Sequence, residues 1–240
     1  MRKFAFIIPM RNAHKTLEQT LRSLIAQSHS RWRAIIIDDA SDSLSVETSK
    51  ALVNKTNEFL NDERVLLVQS DVRRWETENV YVGLQLCTDD EIACRLDADD
   101  WLTDADALSI ISDVYDKTGC DALWTQHRWN CTHVGISAAM APSADPYTHK
   151  WVSSHMKTWD VKLSRGVNVA NYKNQHGEWV RRAGDQAIYL PVLKRARARM
   201  FLPLVTYHYS IDIRPETFAS EDAKLQKAEA DFIRARGYVE

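Results

Sequence analysis

A chain of 240 residues, 45% of them hydrophobic, is long enough to bury a sizeable core as one domain or as two small ones. The charged residues make up 27% of the chain and nearly balance to a formal net charge of -2, which is typical of an ordinary globular protein and indicates no particular partner. No apolar stretch approaches the length of about 20 residues that a membrane-spanning helix needs, so the sequence predicts no membrane span.

The cysteines and the N-terminal residues indicate a reducing environment. Cys87, Cys94, Cys120 and Cys131 form no CxxC pair and have no zinc-like spacing, so we interpret them as reduced residues, several of them buried. The apolar run at 4–10 is too short for a secretory signal and predicts a buried first strand. These features predict a cytoplasmic protein.

Apolar runs alternate with helical patterns through the first hundred residues. We predict strands at 4–9, 34–37, 65–68 and 92–96, and helices at 15–27, 45–60 and 76–88. This rhythm of strand and helix favours a mostly parallel, doubly wound α/β sheet with flanking helices. In the second half, we predict one or two strands in 121–140, helices near 153–164 and at 184–199, and a charged amphipathic helix at 221–236.

Two acidic clusters follow predicted strands. Asp38-Asp39 opens the cluster that ends at Asp42, and Asp97-Ala98-Asp99-Asp100 follows the strand at 92–96. Ligands of such sheets bind beyond the carboxyl ends of the strands, so both clusters are expected in one crevice. Carboxylates one residue apart are ligands for a hard divalent cation that neutralises a diphosphate. The alternative for Asp38-Asp39 is a cap of the next helix, a role that Ser41 or Asp42 could also fill.

Basic residues are concentrated in 151–200, which contains ten Lys or Arg and three Asp or Glu, a net charge of +7. One interpretation is a surface for an anionic partner, and the other is a solvated charged face.

Three ordered motifs carry a family resemblance. They are Phe6-Ile7-Ile8-Pro9-Met10-Arg11-Asn12, then a helix with Ser23-Leu24 and Gln27, then Ile35-Ile36-Ile37-Asp38-Asp39-Ala40-Ser41-Asp42. Together with Asp97-Ala98-Asp99-Asp100, they resemble the opening of family-2 glycosyltransferases over about residues 4–102. The resemblance implies a GT-A fold in one domain with three parts: 1–120 would bind a nucleotide sugar, 121–215 would bind the acceptor, and 216–240 would form the C-terminal amphipathic helix.

The resemblance also implies roles for individual residues in binding the donor. Pro9, Asn12 and Asp39 would contact the donor, with Asp39 at the nucleobase, and Arg73 or Arg74 (of which we favour Arg74) would be the donor-contacting arginine. Asp97 and Asp99 would reach the sugar and the metal, which we expect to be Mn²⁺ or Mg²⁺. The chain departs from the family where Met10-Arg11 replaces Thr-Tyr and where Asp89-Asp90 replaces a glycine.

Two residues of the second half complete the expected site. Gly184-Asp185 resembles the acidic element that serves as general base on the acceptor hydroxyl in relatives, and its alternative is an acid that a helix dipole favours. His208 is a candidate third metal ligand, although a lone histidine is more often structural. His155, in Ser154-His155-Met156-Lys157, resembles an acceptor-side segment of small family members.

The predicted function is transfer of a sugar, expected to be a hexose, from a UDP-sugar or a similar donor to a hydroxyl. The acceptor would be a glycan or a lipid-linked saccharide. The alternative acceptor is a hydroxymethylated base in phage DNA, because 151–210 resembles phage enzymes of that kind and is basic. A nucleotidyltransferase lacks support because no glycine precedes Gly83, and a non-catalytic carbohydrate-binding relic would not need both acidic clusters. The host would be a bacterium or a phage-infected cell.

Overall fold

The computed structural model describes residues 1–129, 133–210 and 219–240. Its strands are β1 (Lys3–Met10), β2 (Trp32–Asp39), β3 (Val65–Ser70), β4 (Glu91–Arg95), β5 (Trp101–Leu102), β6 (Ala122–Trp129), β7 (His133–Val134), β8 (Lys157–Asp160) and β9 (Arg199–Tyr209). Its helices are α1 (Leu17–Ile25), α2 (Ser43–Leu60), α3 (Trp75–Gln85), α4 (Ala107–Thr118), α5 (Gly184–Arg195) and α6 (Glu221–Arg236). Cys131 and the predicted boundary at 215/216 lie outside the described residues.

The strands form one sheet in the order β3-β2-β1-β4-β8-β6-β9-β5, with β7 paired to β6. The first four strands in this order are parallel, as the alternation of strands and helices predicted. β8 runs antiparallel between β4 and β6, β9 runs parallel to β6, and β5 is antiparallel to β9. The prediction of an α/β fold with a mostly parallel central sheet is confirmed.

A hydrophobic layer covers each face of the sheet, because alternate residues of each strand point to opposite faces. On β1, Phe4, Phe6 and Ile8 join the layer that includes residues of α1, α2 and α4. Ala5 and Ile7 join the opposite layer, which includes residues of α3 and α5. The sheet is therefore buried on both faces, which explains the continuous apolar runs of β1 and β2.

In the second half, one predicted helix is wrong and another is wrong only at its C-terminal end. The predicted helix near 153–164 is the central strand β8 followed by a 3₁₀ turn at Val161–Ser164. The helix predicted at 184–199 ends at Arg195, and Arg199 begins the long strand β9. Pairing with β4 and β6 makes 157–160 a strand, and a local pattern does not contain that information. The helix predicted at 221–236 has those bounds.

The described cysteines Cys87, Cys94 and Cys120 are free and buried, as expected. None of the helices in the described part of the chain has the length and the apolar character needed to cross a membrane.

Candidate active site

A cleft of about 390 Å³ opens at the carboxyl ends of β1, β2 and β4. These strands and the residues directly after them line it with Pro9, Met10, Arg11, Asp39, Arg95 and Asp97, and α3 and the preceding loop add Arg73, Trp75, Glu76 and Asn79. Arg181 and Arg182, which precede α5, and the beginning of α6 with Asp222 complete the wall. The structure therefore brings both acidic clusters to one crevice, as the strand ends predicted.

Asp39 holds the beginning of α3. Its buried carboxylate accepts hydrogen bonds from the backbone N–H groups of Arg74 (2.5 Å) and Trp75 (3.1 Å). Asp42 performs the corresponding role for α2, where its carboxylate accepts from the N–H of Ser45 at 2.8 Å. Asp39 thus faces the cleft and also binds the beginning of α3. The residue that caps α2, the helix following β2, is Asp42 and not Asp38 or Asp39.

Asn12 connects two loops at the edge of the site. Its backbone N–H donates to Ser41 Oγ at 2.8 Å, and its side-chain Oδ1 accepts from the N–H of Asp42 at 2.9 Å. Pro9 lines the cleft directly, whereas Asn12 lies in the adjoining turn with a φ of 53°. In this structure, Asn12 orders the loop that follows β2.

Arg73 rather than Arg74 points into the cleft. The Arg73 guanidinium lies 3.5 Å from the ring centroid of Trp75 and 3.9 Å from the Asp39 carboxylate. Burial together with Arg11 lowers the pKa of Arg73. The Arg74 side chain is directed toward Glu78, at 3.9 Å.

Three arginines surround one aromatic ring at this side of the cleft. Arg181 and Arg182 lie 5.5 and 5.1 Å from the Trp75 ring, on the same ring that Arg73 contacts. Arg182 is also paired with Asp222 of α6. The result is a positively charged wall next to a planar ring, an arrangement that suits an anionic ligand with an aromatic portion.

The three aspartates after β4 have different environments. Asp97 is half-buried and accepts from Arg95 Nη2 at 2.6 Å. Asp100 is fully buried and accepts from the Tyr207 hydroxyl and the Ser210 N–H, both at 2.7 Å. Desolvation and the Asp97 charge raise the pKa of Asp100 to about 9. Asp99 reaches the solvent, but protein atoms around its carboxyl group and the nearby Asp97 raise its pKa to about 6.

The side chains that converge for a metal differ from the predicted set. Ligand atoms of Asp97, Asp100 and His155 lie within 4.8 Å of one another. Burial and the nearby Lys157 lower the pKa of His155 to about 3, so its imidazole is neutral, which is the form that binds metals. Mn²⁺ accepts two carboxylates and one imidazole as ligands, and its charge would displace the proton that Asp100 holds at neutral pH, so these residues fit a divalent cation.

His208 does not lie in that group. Its ring stacks on Trp101 of β5 with centroids 3.7 Å apart, directly across the antiparallel pair β5–β9. The preceding residue, Tyr207, points to the cleft side and stacks on His155 at 4.7 Å. Because side chains alternate along a strand, the neighbour of Tyr207 faces away.

Asp185 lies in the first turn of α5 and is paired with a buried lysine. Its carboxylate lies 2.7 Å from Lys157 Nζ and 3.7 Å from His155 Nε2. Burial acts to raise the pKa of Asp185, but the Lys157 ammonium and the Arg95 guanidinium hold it well below its usual range. Asp185 is therefore an ionised carboxylate beside the Asp97 and His155 side chains.

Sequence reasoning missed several site residues, among them Trp75, Arg181 and Arg182 of the positively charged wall. Glu76 and Asn79 lie on the cleft face of α3, and Arg95 and Lys157 lie in strands. Arg95 and Lys157 could have been found in the sequence as charged residues within strands, because a cation buried in a strand needs an acidic partner nearby. Among the described residues, neither polar atom of the buried Asn79 amide has a hydrogen-bond partner, and no sequence pattern indicated that.

The comparisons with known proteins bear on this geometry. The model of the family described as Glycosyl transferase family 2 matches residues 5–140, more than half of the chain. The chain belongs to glycosyltransferase family 2. No curated protein sequence matches it.

Solved structures show the same fold. The crystal structure of S. aureus TarS 1-349 in complex with UDP matches with a TM-score of 0.67 at 18% identity, over 95% of this chain and 65% of that chain. The mannosyltransferase PcManGT from Pyrobaculum calidifontis, in complex with GDP-Man and Mn²⁺, matches with a TM-score of 0.62 at 15% identity, over 96% and 63%. This family-2 chain thus spans less than two thirds of either structure. The likeness confirms the GT-A fold and lends no support to the resemblance to phage DNA enzymes.

Proposed function

We propose that this glycosyltransferase transfers a sugar, expected to be a hexose, from a nucleoside-diphosphate sugar to an acceptor hydroxyl with the help of a divalent cation. The observation that carries the proposal is the cleft at the carboxyl ends of β1, β2 and β4, which places Asp39 and Asp97 opposite arginines. A nucleoside diphosphate has the matching chemistry, a planar base and an anionic group. The TarS structures contain UDP or UDP-GlcNAc, which favours UDP as the carrier.

Within the site, Asp97, Asp100 and His155 would hold the metal, which is Mn²⁺ or Mg²⁺, and Asp99 stays a candidate ligand at the rim. The bound cation would neutralise the diphosphate charge that grows as the sugar leaves. The wall of Arg73, Arg181 and Arg182 would add fixed positive charge on the same side.

Asp185 is the proposed acceptor residue. Its carboxylate is ionised, as a general base must be, and it is next to the metal-binding side chains. The Lys157 ammonium lowers its basicity, so Asp185 would accept the hydroxyl proton most effectively as the nucleophile forms its bond to the anomeric carbon. In a retaining reaction, the same carboxylate would orient the acceptor.

A glycan or a lipid-linked saccharide is the acceptor that we favour over DNA. Six of the ten basic residues of 151–200 form ion pairs within the described part of the protein, among them Lys157 with Asp185, Arg165 with Asp89, and Lys194 with Asp145. A phosphate backbone needs free cations along one surface, and these pairs leave fewer of them than the net charge of +7 indicates.

The first test is nucleotide release from a panel of UDP-sugars with Mn²⁺, comparing the wild type with Asp97→Ala and Asp99→Ala. We expect metal-dependent UDP release that Asp97→Ala lowers on the order of 100-fold, because the metal loses a ligand. Asp113→Ala is the matched control, since Asp113 is an exposed acid on α4 that pairs with Lys117. Glycans and hydroxymethylated DNA, added in parallel, identify the acceptor by the one that accelerates release.

If the wild type released no UDP and bound no UDP-sugar, the proposal would be overturned. A nucleoside triphosphate consumed together with a sugar phosphate would indicate the nucleotidyltransferase instead. Sugar binding without any transfer would indicate a carbohydrate-binding relic.

A further inference from the structure

The carboxyl group of Glu76 occupies the space that a side chain at position 184 would fill. A Cβ atom added to Gly184 would lie 2.6 Å from Glu76 Cδ and 2.7 and 3.0 Å from its two oxygens. Gly184 is the first residue of α5, and its φ is not positive, so the backbone does not require glycine there. The obstacle to any larger residue is therefore Glu76 itself, which reaches across from α3.

Glu76 also contacts Arg95, which in turn contacts the candidate metal ligand Asp97. One nitrogen of Arg95, Nη2, lies 2.9 Å from Glu76 Oε1 and 2.6 Å from Asp97 Oδ1. The Arg95 side chain is only 4% exposed, so this shared guanidinium has a fixed position. Glu76 thus contacts both the cation that holds Asp97 and the glycine that precedes Asp185.

Charged groups of β4, β8 and α5 surround Glu76. Asp97 and Asp185 supply negative charge, and Arg95 and Lys157 supply positive charge, while His155 is neutral. Burial, Asp185 and Asp97 raise the pKa of Glu76 to about 7 although Arg95 opposes the shift. The Glu76 side chain is 29% exposed, and two neighbouring carboxyl groups oppose its charge, which is an arrangement typical of functional sites.

We propose that Glu76 is a positioning residue of the active site, supplying from α3 a carboxylate that occupies the side-chain space of position 184. It holds Arg95 against Asp97 on the donor side and fixes the turn that carries Asp185 on the acceptor side. The inference rests on the proposed function, because the donor and acceptor sides are those of a glycosyl transfer. It predicts that a carboxylate supplied by position 184 of α5 can replace that of Glu76.

The test relocates that carboxylate. We expect Glu76→Ala and Glu76→Gln to lower the kcat of UDP-sugar turnover at least tenfold, with KM for the UDP-sugar changed less than threefold. Gly184→Glu alone should also lose activity, because its side chain meets Glu76. The double variant Glu76→Ala/Gly184→Glu should have a kcat at least tenfold higher than that of Glu76→Ala. Its matched control, Glu76→Ala/Gly184→Ala, restores bulk without charge and should recover nothing.

Thermal unfolding gives a readout that does not depend on activity. Gly184→Ala should lower Tm in the wild type, where it meets Glu76, and raise Tm in the Glu76→Ala background, where alanine favours the helix. Wild-type kcat in Glu76→Ala, or equal recovery by the Ala and Glu double variants, would overturn the inference while leaving the transferase intact. Absence of wild-type UDP release would overturn the proposed function instead, and the sign of the Tm change would still decide the contact.

Discussion

At the residue scale, the cleft depends on basic side chains that the strands bury. Arg95 and Lys157 lie in β4 and β8, where their side chains are 4% and 2% exposed. Each is paired with an aspartate that the sequence singled out, Arg95 with Asp97 and Lys157 with Asp185. Burying one partner alone would leave an uncompensated charge, so each aspartate and its cation form one unit. The negative charge expected from the acidic motifs is therefore partly balanced before any ligand binds.

His127 provides a pH-dependent prediction at this scale. It is 1% exposed and its Nε2 accepts from Trp129 Nε1 at 2.7 Å, which requires an unprotonated nitrogen. Burial and the nearby Lys157 lower the pKa of His127 to about 4 from 6.5. Between pH 4 and 6.5, the unfolded chain therefore binds more protons than the folded chain. The contribution of His127 to the free energy of unfolding is complete above pH 6.5 and decreases by about 3 kcal/mol as the pH falls toward 4.

The measurement is the free energy of unfolding in urea at pH 7 and at pH 4.5. His127→Gln should reduce the loss between the two values, and the remaining loss includes that of His155, whose pKa is also lowered. His176→Gln, at an exposed position, is the control. An unchanged loss in His127→Gln would contradict the assignment.

At the element scale, α3 brings Trp75, Glu76 and Asn79 to the cleft because the same face of the helix packs closely on the sheet further along, at Gly83. Gly83 lies on β1 and β2, where an added Cβ would be 2.6 Å from Ile7 Cγ2 and 2.9 Å from Ile37 Cδ1. The close approach of backbone to sheet sets the height of the whole helix. The absence of a side chain at Gly83 thus allows the backbone of α3 to lie close to the sheet.

Gly83→Ala tests this packing. Alanine normally stabilises a helix by about 1 kcal/mol relative to glycine. Here the added methyl group meets two isoleucines, and we expect a net destabilisation of about 1–3 kcal/mol. Gln85→Ala, on the exposed side of α3, is the matched control. Chemical denaturation measures both variants, and a more stable Gly83→Ala protein would show that α3 is not held by this contact.

At the scale of the whole molecule, the C-terminal helix completes the site. Glu229 of α6 is 5% exposed, and its carboxylate accepts from the backbone N–H groups of Arg181, Arg182 and Ala183 at 2.7–3.2 Å. These residues lead directly into α5 and Asp185. The last helix in the sequence is thereby attached to the segment that carries two cleft arginines.

Glu229→Ala should leave these three N–H groups without their acceptor. We expect a loss of about 1–3 kcal/mol in the free energy of unfolding. We also expect weaker binding of UDP, because Arg181 and Arg182 lose their fixed positions. Glu221→Ala is the control, since that side chain is 89% exposed and contacts Lys224. Calorimetric titration with UDP checks the second effect, and unchanged affinity would show that the Glu229 contacts serve stability alone.

The sequence by itself determined the parallel half of the sheet, the ends of its strands, the last helix and the family. These features depend on local periodicity and on motifs within about a hundred residues. It predicted Pro9, Asp39 and Asp97 as cleft residues, and the structure places them there. It also predicted Asp185 next to the site, and its role stays a prediction.

Tertiary structure alone decided the rest, because the decisive contacts join residues far apart in the chain. Glu76 meets Gly184 only because α3 and α5 cover the same face of the sheet. The pairing of β6 with β9 shifts register at Thr125/Gln126 and Gln126/His127, and that irregularity precedes the point where Tyr207 rather than His208 faces His155. A local pattern carries no record of such a shift, so it is the completed sheet that determines which side chains form the site.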